Sequence, residues 1–490
     1  MKYLKKYLLY LTLIIFPLIG LLNSFRFKFP LGTDTSFHYF ISKTLLGNNF
    51  LLSKTIPFFW DGFFAGYPPL FHYVAAFISK IFSLDLLLVY KFLPWLFFSL
   101  LLLALYIFIK EFDKKYALLA VIIFTIIPIY LHAFYAGELA RLPGLAFSLF
   151  CLASVKKYLK TNSKKELIFS GIFYSLTILS HLYAAAITSV ILAYWIIEQY
   201  IVKKDYSITL TLFLGIIISS PWLIFITKNF GLLYFFKVFA AHSTDVASFV
   251  PYIAIILLML PIIKGLWKRK FYSIILIFLI LSIISRMFIM IPISYYLSKQ
   301  IHLRIFKKNK KIKSLFIMIL LIISIMIFSS IMASQFMKPL ITEQKIQATD
   351  WIKQNTNQNQ TVLAYLDYFY VKATTSEYLF DNIIGHAVRQ INGFDNIIPA
   401  LTQRKTYTWF AFEWSLDKKR KTIIDEFREK LCKEHFFKTA VKYNIYPDYL
   451  WFAKEKNSSR YTSLICNDLT EPEFEKVFSN NEVDIYKINY

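Results

Sequence analysis

Acidic side chains are scarce before residue 340 and therefore mark where chemistry could occur. Only ten precede that position, and half of them lie in or beside short basic connections between apolar segments. The other five are Asp34, Asp61, Asp85, Glu138 and Asp245. An ionisable group close to apolar surroundings is costly to bury, so each of these five is a candidate functional residue.

Asp34, in the segment GTDTSFHYF, is the leading candidate for a general base. It follows the first apolar segment within a few residues, which predicts a position close to the membrane surface. A carboxylate there could accept a proton from a hydroxyl or amide group. The alternative is a helix N-cap, because Asp34 precedes an amphipathic stretch. If that stretch is helical, His38 lies one turn further and would orient the carboxylate.

Three further side chains interrupt apolar sequence and are candidates for binding an anion. Arg286, in ILSIISRMFIM, needs an anionic partner, and a guanidinium suits phosphate oxygens. Glu138 and Arg141 are spaced i and i+3 in AGELARLPG, which fits an ion pair at a helix end or a polar pocket wall. His181 interrupts a long apolar run in ILSHLYAAA, where a lone histidine is more often a hydrogen-bonded packing residue than a ligand.

The overall composition is that of a membrane protein. Hydrophobic residues make up 57% of the 490 residues and aromatic residues 19%. Soluble globular chains contain about 45–50% apolar residues even when glycine is counted. Disordered, collagen-like and small disulfide-rich proteins are excluded. The motifs of nucleotide hydrolysis and zinc proteolysis are absent from the sequence.

Apolar runs long enough to cross a bilayer recur up to about residue 336 and predict about eleven transmembrane helices. The run 166–202 is divided at His181 into two crossings, and another division falls near Arg286. The predicted centres are Leu13, Leu100, Ile123, Ser148, Thr177, Leu192, Leu212, Ile256, Ile277, Ile293 and Leu321.

The net charge of +25 indicates topology. With a cytoplasmic N-terminus, the inner connections carry 24 basic residues and the outer connections of the membrane half carry ten. This bias predicts that orientation, in the cell (plasma) membrane, and an odd number of crossings places the C-terminal region outside. The excess positive charge then faces anionic lipid, and no nucleic-acid partner is predicted.

Two predicted outer segments stand out. The loop from about 25 to 90, which includes WDGFFAGYPPLFHY, is too interrupted to span and predicts interfacial helices. At about residue 337 the composition becomes mixed, which predicts a small soluble α/β domain over 337–490 after a transmembrane domain over 1–336.

Within the predicted tail domain, ATDWIKQNT and DEFREKLCKEHFFKTAVKY are predicted helices and TVLAYLDYFYV a predicted strand. The segment FEKVFS-NN-EVDIYKI predicts a β-hairpin, in which the two asparagines tolerate positive φ. Cys432 and Cys466 also lie in the tail, where a disulfide and two free thiols both fit the sequence.

Together these features resemble the membrane glycosyltransferases of the type-C superfamily. That group includes protein O-mannosyltransferases, the lipid A aminoarabinose transferase and the catalytic subunits of oligosaccharyltransferases. The resemblance rests on Asp34 in GTDTSFHYF, on WDGFFAGYPPLFHY, and on the segments ELAR, SHLYAAA and SRMF. The C-terminal hairpin is similar in pattern to the tails of uncharacterised members, some labelled as related to a pterin synthase. Nothing in the sequence supports pterin chemistry.

The sequence also departs from that superfamily in two places. The first two outer loops contain no Asp-x-Asp or Asp-x-Glu pair, which metal-dependent members carry. The tail contains no Trp-Trp-Asp motif, so transfer of an oligosaccharide to asparagine is disfavoured. No metal ligand and no cofactor is therefore predicted, and the need for a divalent cation, Mg or Mn, stays open.

The resemblance implies an inverting glycosyltransferase that takes a hexose or pentose from a polyprenyl-phosphate donor to a lipid, glycan or protein acceptor. Asp34 would deprotonate the acceptor, and Arg286, followed by His181 and Arg141, would bind the donor phosphate. The remaining residues expected to contact substrate are His38, Trp60, Asp61, Tyr67 and Glu138. Two alternatives remain, a transporter or flippase of lipid-linked glycans and a non-catalytic membrane assembly protein.

Overall fold

The computed structural model describes most of the helical half and parts of the tail. The described residues are 2–30, 35–53, 55–56, 63–64, 66–126, 134, 139–234, 286–301, 342–365, 397–407, 422–423, 426–427, 433–453 and 473–490.

The first part of the chain is helical apart from one short strand pair. The helices are α1 (Lys2–Ser24), α2 (Thr35–Gly47), α3 (Leu70–Ile81), α4 (Leu86–Phe112), α5 (Ala117–Ile126), α6 (Arg141–Thr161), α7 (Lys164–Ser180), α8 (Leu182–Lys203), α9 (Thr209–Phe230) and α10 (Arg286–Ile301). Strands β1 (Thr55–Ile56) and β2 (Phe63–Phe64) pair antiparallel between α2 and α3.

Several of these helices are long and apolar enough to cross a membrane. Within the described residues there are five, namely Tyr7–Ser24 of α1, Leu86–Phe112, Arg141–Thr161, Leu182–Lys203 and Thr209–Phe230. The prediction of a helical integral membrane protein is confirmed. The predicted centres Ile256, Ile277 and Leu321 lie outside the described residues, so the total of about eleven crossings stays a prediction.

The predicted division of the run 166–202 is confirmed. Helix α7 ends at Ser180 and α8 begins at Leu182, while His181 between them has extended backbone angles, φ −160° and ψ 117°. The long apolar run is therefore two helices that meet at His181.

Helix α4 lies in the interior of the bundle and packs against α1, α5 and α6. Its apolar residues cover all sides, so its neighbours bury Leu93, Leu101 and Leu105 completely. Hydroxyl pairs join other helices, such as Ser148 Oγ with Thr188 Oγ1 at 2.6 Å between α6 and α8. In an apolar bundle such small polar pairs allow close helix packing and supply interhelical hydrogen bonds.

One end of the bundle, here called the basic end, is formed by the short connections 113–116, 162–163 and 204–208. Lys157 pairs with Glu166 at 2.6 Å there, and Lys160 pairs with Glu111 at 3.0 Å. Helices α2 and α3 and the α7–α8 junction lie at the opposite end, because consecutive helices joined by short connections run antiparallel. That opposite end is called the site end below.

The tail forms an α/β unit around one five-stranded sheet. Its elements are α11 (Glu343–Asn355), β3 (Thr361–Tyr365), α12 (Ile397–Thr402), β4 (Lys405–Tyr407), α13 (Lys433–Tyr443), β5 (Tyr449–Ala453), β6 (Phe474–Ser479) and β7 (Val483–Ile488). The strand order is β4-β3-β5-β7-β6, with β4, β3 and β5 parallel and β5, β7 and β6 antiparallel.

Each face of the sheet has its own apolar core. Val362 and Ala364 of β3 pack with α11, whereas Leu363 between them packs with Phe436 of α13. Side chains alternate between the faces along a strand, so β3 serves both cores. The α/β character predicted for the tail is confirmed, while the boundary at 336/337 stays a prediction.

Where the structure describes them, the predicted tail elements agree with it, except for the way in which the hairpin turn is formed. Helix α11 contains the predicted ATDWIKQN segment, and the C-terminal hairpin is formed by β6 and β7. Its turn, however, does not use positive φ at Asn480 or Asn481. Instead the Asn480 side-chain oxygen accepts hydrogen bonds from the amides of Glu482 and Val483 at 2.9 and 2.8 Å. Cys432 and Cys466 lie outside the described residues.

The tail packs on the site end of the bundle. Phe29, which follows α1, is buried in the core that the sheet shares with α11. Lys28 pairs with Asp350 at 3.9 Å, and α12 contacts α2. The sheet therefore lies over the same end of the molecule as the segment that begins at Asp34.

Candidate functional site

Helices α2 and α3 bring two buried histidines together. His38 Nδ1 lies 2.8 Å from His72 Nε2, and the two side chains are 1% and 0% exposed. At this distance one ring nitrogen donates to the other, so the pair holds at least one neutral imidazole. Sequence FHY occurs at both positions, residues 37–39 and 71–73.

Aromatic and hydroxyl groups enclose the histidine pair. The Tyr67 ring packs edge-on against His38 with centroids 4.9 Å apart, and against His72 at 5.6 Å. Ser42 Oγ of α2 hydrogen bonds with Tyr90 Oη of α4 at 2.7 Å and donates to the His72 carbonyl at 3.3 Å. The pair is thus held by three helices in a water-excluded cluster.

Burial controls the protonation of this cluster. Burial first, and then the neighbouring His38, lowers the pKa of His72 well below its usual value. A low pKa keeps His72 neutral near pH 7, so its ring serves as an uncharged hydrogen-bond partner of His38. Burial, with a smaller contribution from Asp85, raises the pKa of Tyr39 to about 12 and keeps its hydroxyl protonated.

The segment before α3 is fastened to the end of α9. Tyr234, just beyond α9, is buried and donates a hydrogen bond from its hydroxyl to the Gly66 carbonyl at 3.0 Å. The two residues that form this contact are 168 positions apart in the sequence. It fixes the backbone immediately before Tyr67 and hence the position of that ring beside His38.

His181 packs against α6 at the site end, one helical turn beyond Arg141. Arg141 is the first residue of α6, and Gly144, one turn further, lies directly against His181. His181 is buried, and its Nδ1 accepts a hydrogen bond from the Ala184 amide at 3.4 Å, which caps α8. The structure therefore supports the interpretation of His181 as a packing residue. Its contact on α6 is Gly144, one helical turn beyond Arg141.

Gly144 allows this close approach. A Cβ atom at Gly144 would lie 2.6 Å from the His181 Cβ, which is closer than real Cβ contacts. We expect Gly144→Ala to push α6 away from the α7–α8 junction at a cost of about 1–3 kcal/mol, lowering the unfolding temperature in detergent. Gly47→Ala is the matched control, because a Cβ there meets nothing within 4 Å. A control that destabilises as much as Gly144→Ala would contradict this explanation.

Helix α10 begins at Arg286, the predicted phosphate ligand. Nine residues later, Tyr295 packs against Tyr116 at the basic end, with ring centroids 5.9 Å apart. Nine helical residues span about 13 Å, so the start of α10 lies towards the site end. The side chain of Arg286 is outside the described part of the structure.

Four predicted site residues lie outside the described residues: Asp34, Trp60, Asp61 and Glu138. Their roles stay predictions. For two of them the next element of the sequence is described. Asp34 directly precedes α2, and Glu138 precedes the turn that leads into α6. Among the described residues, no group of three or more His, Cys, Asp or Glu side chains could hold a metal ion.

His72 is the site residue that the sequence predictions missed. The signal that could have found it is the repeated Phe-His-Tyr tripeptide at 37–39 and 71–73, which places a histidine in the same local context in both helices of the loop. The interpretation of His38 alone, as a residue that orients Asp34, did not require a second histidine.

Comparison with known proteins supports the fold. Residues 67–225 match the family model described as dolichyl-phosphate-mannose-protein mannosyltransferase. That segment includes Tyr67, His72, Arg141 and His181. No curated protein matches the sequence.

Two solved structures are similar over nearly the whole chain. The archaeal oligosaccharyltransferase AglB from Archaeoglobus fulgidus, in complex with an inhibitory peptide and a dolichol-phosphate, has a TM-score of 0.58 and 13% identity, covering 92% of this chain and 69% of that chain. ArnT from Cupriavidus metallidurans, bound to undecaprenyl phosphate, has a TM-score of 0.57 and 11% identity, covering 97% of both chains. The type-C fold predicted from the sequence is confirmed.

Proposed function

We propose that this protein is an integral-membrane glycosyltransferase that moves a sugar from a polyprenyl-phosphate donor to an acceptor at the site end of the bundle. The observation that carries the proposal is the convergence, at one end of a type-C fold, of α2 immediately after Asp34, the His38–His72 pair, and the Arg141–His181 neighbourhood. The family model over residues 67–225 names a dolichyl-phosphate-mannose donor, and both structural neighbours are described with a polyprenyl phosphate.

In the proposed reaction Asp34 is the general base. Its carboxylate accepts the proton of the acceptor hydroxyl, and the acceptor oxygen then attacks the anomeric carbon of the donor sugar. The bond between the anomeric carbon and the phosphate oxygen breaks, and the electron pair leaves with the polyprenyl phosphate. One direct displacement inverts the anomeric configuration.

The histidine pair positions the start of α2. His38 lies on the first turn of α2, four residues after Asp34, and His72 fixes the His38 ring through the 2.8 Å contact. A buried ring held by a neighbouring helix has little rotational freedom. We therefore propose that the first turn of α2, which directly follows Asp34, is preorganised. Tyr67, packed on both rings, is the proposed aromatic contact for the sugar.

Cationic groups would stabilise the departing phosphate. Negative charge develops on that group as the bond breaks, and fixed donors aimed at it lower the barrier. Arg141 at the start of α6 and Arg286 at the start of α10 are the proposed phosphate contacts, with His181 holding the α7–α8 junction beside Arg141. Glu138, Trp60 and Asp61 are proposed to line the same substrate site.

The tail would close the site and contribute to acceptor binding, since its sheet packs over α2 through α12 and Phe29. In the orientation predicted by the distribution of basic residues, this end is extracytoplasmic. A lipid-linked donor would then reach the site from the outer leaflet.

Transfer from a defined donor tests the proposal. Purified protein in detergent is incubated with polyprenyl phosphates carrying radiolabelled hexoses or pentoses, and with a membrane extract that supplies lipid, glycan and protein acceptors. We expect label to move from at least one donor into the acceptor fraction with release of polyprenyl phosphate. Label that stays on every carrier would contradict the proposal.

A further inference from the structure

A cavity lies at the basic end, away from the candidate site. It has a volume of about 570 Å³ and opens between the start of α7, the end of α6 and the start of α9. Its lining includes Asn162, Lys164, Leu167, Thr209, Leu210 and Phe213. None of these residues takes part in the proposed transfer reaction.

The cavity has a polar rim and an apolar wall. Lys164 and Thr209 are exposed at its rim, and Leu167 forms a buried floor. Leu210 and Phe213 are 38% and 62% exposed, and Ile216 and Ile217 continue the apolar surface of α9. Since α9 is apolar and long enough to cross a membrane, this surface leads from the cavity along the bilayer-facing side of the helix.

Lys164 is the charged residue among those that line the cavity. Lys157 and Lys160 are neutralised by Glu166 and Glu111, whereas Lys164 makes no ion pair with any residue that the structure describes. Asp205 lies next to the cavity. Its carboxylate accepts hydrogen bonds from the Ser207 amide and hydroxyl and from the Tyr158 hydroxyl, and it makes no ion pair with Lys164 in the described part of the structure.

We propose that this cavity binds an anionic phospholipid. Its phosphate would lie beside Lys164, and an acyl chain would lie along Leu210 and Phe213. An ammonium group next to a hydroxyl such as Thr209 suits a phosphate, and the adjoining apolar wall suits a hydrocarbon chain. A free phosphate ion would contact only Lys164 and Thr209 at the rim. A phospholipid would also cover the exposed apolar side chains of Leu210 and Phe213, so a polar rim next to an apolar wall favours a lipid.

A lipid bound there would contact α7 and α9, which already pack against each other and share a hydrogen bond between the Ser170 and Thr211 hydroxyls. The start of α7 and the start of α9 would both contact the headgroup, and α7 carries His181 at its other end. Binding would therefore stabilise the bundle, because a ligand that binds only the folded state raises the unfolding temperature.

The test compares lipids and two matched lysine variants. Purified full-length protein in mixed micelles is titrated with phosphatidylglycerol or with phosphatidylcholine, and both retained lipid and unfolding temperature are measured, by native mass spectrometry and by thermal unfolding. We expect phosphatidylglycerol to be retained and to raise the unfolding temperature more than phosphatidylcholine. Lys164→Ala should weaken that binding about fivefold, the effect of one lysine near an anionic lipid surface.

Lys114→Ala is the control, because Lys114 is exposed at the same end, in the connection between α4 and α5, and does not line the cavity. It removes the same charge and should leave phosphatidylglycerol binding unchanged. Equal losses in the two variants would show unspecific attraction and overturn the proposal. Stabilisation by millimolar inorganic phosphate that competes with phosphatidylglycerol would also overturn it, since the site would then be a phosphate site.

Discussion

Asp34→Asn is expected to reduce sugar transfer by about 10²- to 10⁴-fold, which is the usual contribution of a positioned general base. The amide has nearly the same shape as the carboxylate but cannot accept the acceptor's proton. Donor binding should persist, because the proposed phosphate contacts Arg141 and Arg286 are unchanged. The measurement is the rate of labelled product formation together with donor retention by the same purified variant.

Asp85→Asn is the matched control for that experiment. Asp85 lies in the same loop and caps α4 by accepting a hydrogen bond from the Leu87 amide at 2.7 Å. Asparagine is as good an N-cap as aspartate, so this variant removes a charge and preserves the helix start. We expect it to retain transfer. Comparable losses in both variants would assign the effect to loop charge, and full activity of Asp34→Asn would remove Asp34 from the mechanism.

His72→Leu is expected to destabilise the protein by about 2–3 kcal/mol. It removes the group 2.8 Å from His38 Nδ1 in a cluster where both rings are buried. Because the two side chains contact each other, the effects of His38→Leu and His72→Leu should not add. Thermal unfolding of both single variants and the double variant measures the coupling. Strictly additive shifts would show that the contact contributes nothing.

The same residue predicts a pH dependence with a defined sign. Burial, together with His38, holds the pKa of His72 far below its usual value in the folded protein. The unfolded chain takes up a proton at this residue below about pH 6.5, whereas the folded protein does not until a lower pH. The protonation of His72 therefore leaves the free energy of unfolding unaffected above about pH 6.5. Below that pH the free energy of unfolding decreases by up to about 1.4 kcal/mol per pH unit, until the folded protein also takes up the proton.

The wild type should therefore unfold at lower temperature at pH 5 than at pH 7, and His72→Leu should lose part of that difference. His435→Gln is the control, because His435 lies in α13 of the tail, away from the cluster. It should keep the full pH dependence. An unchanged pH dependence in His72→Leu would contradict the assignment of a depressed pKa to His72.

The sequence predicted the fold well because periodic apolar runs and charged connections depend on local composition. The division at His181 followed from one polar residue in a long apolar run, and the structure confirms it with an extended residue between α7 and α8. The tail hairpin was predicted from its alternation, but its turn uses the Asn480 side chain instead of positive φ. Both turn types fit the same two asparagines, so sequence could not separate them.

The site was less predictable because its contacts join distant parts of the chain. His38 and His72 are 34 positions apart, and Tyr234 reaches Gly66 across 168 positions. No local pattern specifies such pairs. The packing of His181 against α6 depends in the same way on Gly144, whose small size is decisive only once α6 lies against the α7–α8 junction.

The measurement that tests glycosyl transfer most directly quantifies both the sugar and the polyprenyl phosphate of the donor in sealed vesicles. Purified protein is reconstituted into liposomes that contain a polyprenyl-phosphate sugar labelled in the sugar, acceptor extract is added, and mass spectrometry quantifies carrier, donor and product. Transfer predicts that polyprenyl phosphate without sugar appears in proportion to glycosylated acceptor, and that Asp34→Asn prevents both. Donor that crosses the bilayer intact, with no free polyprenyl phosphate, would contradict transfer and identify a flippase.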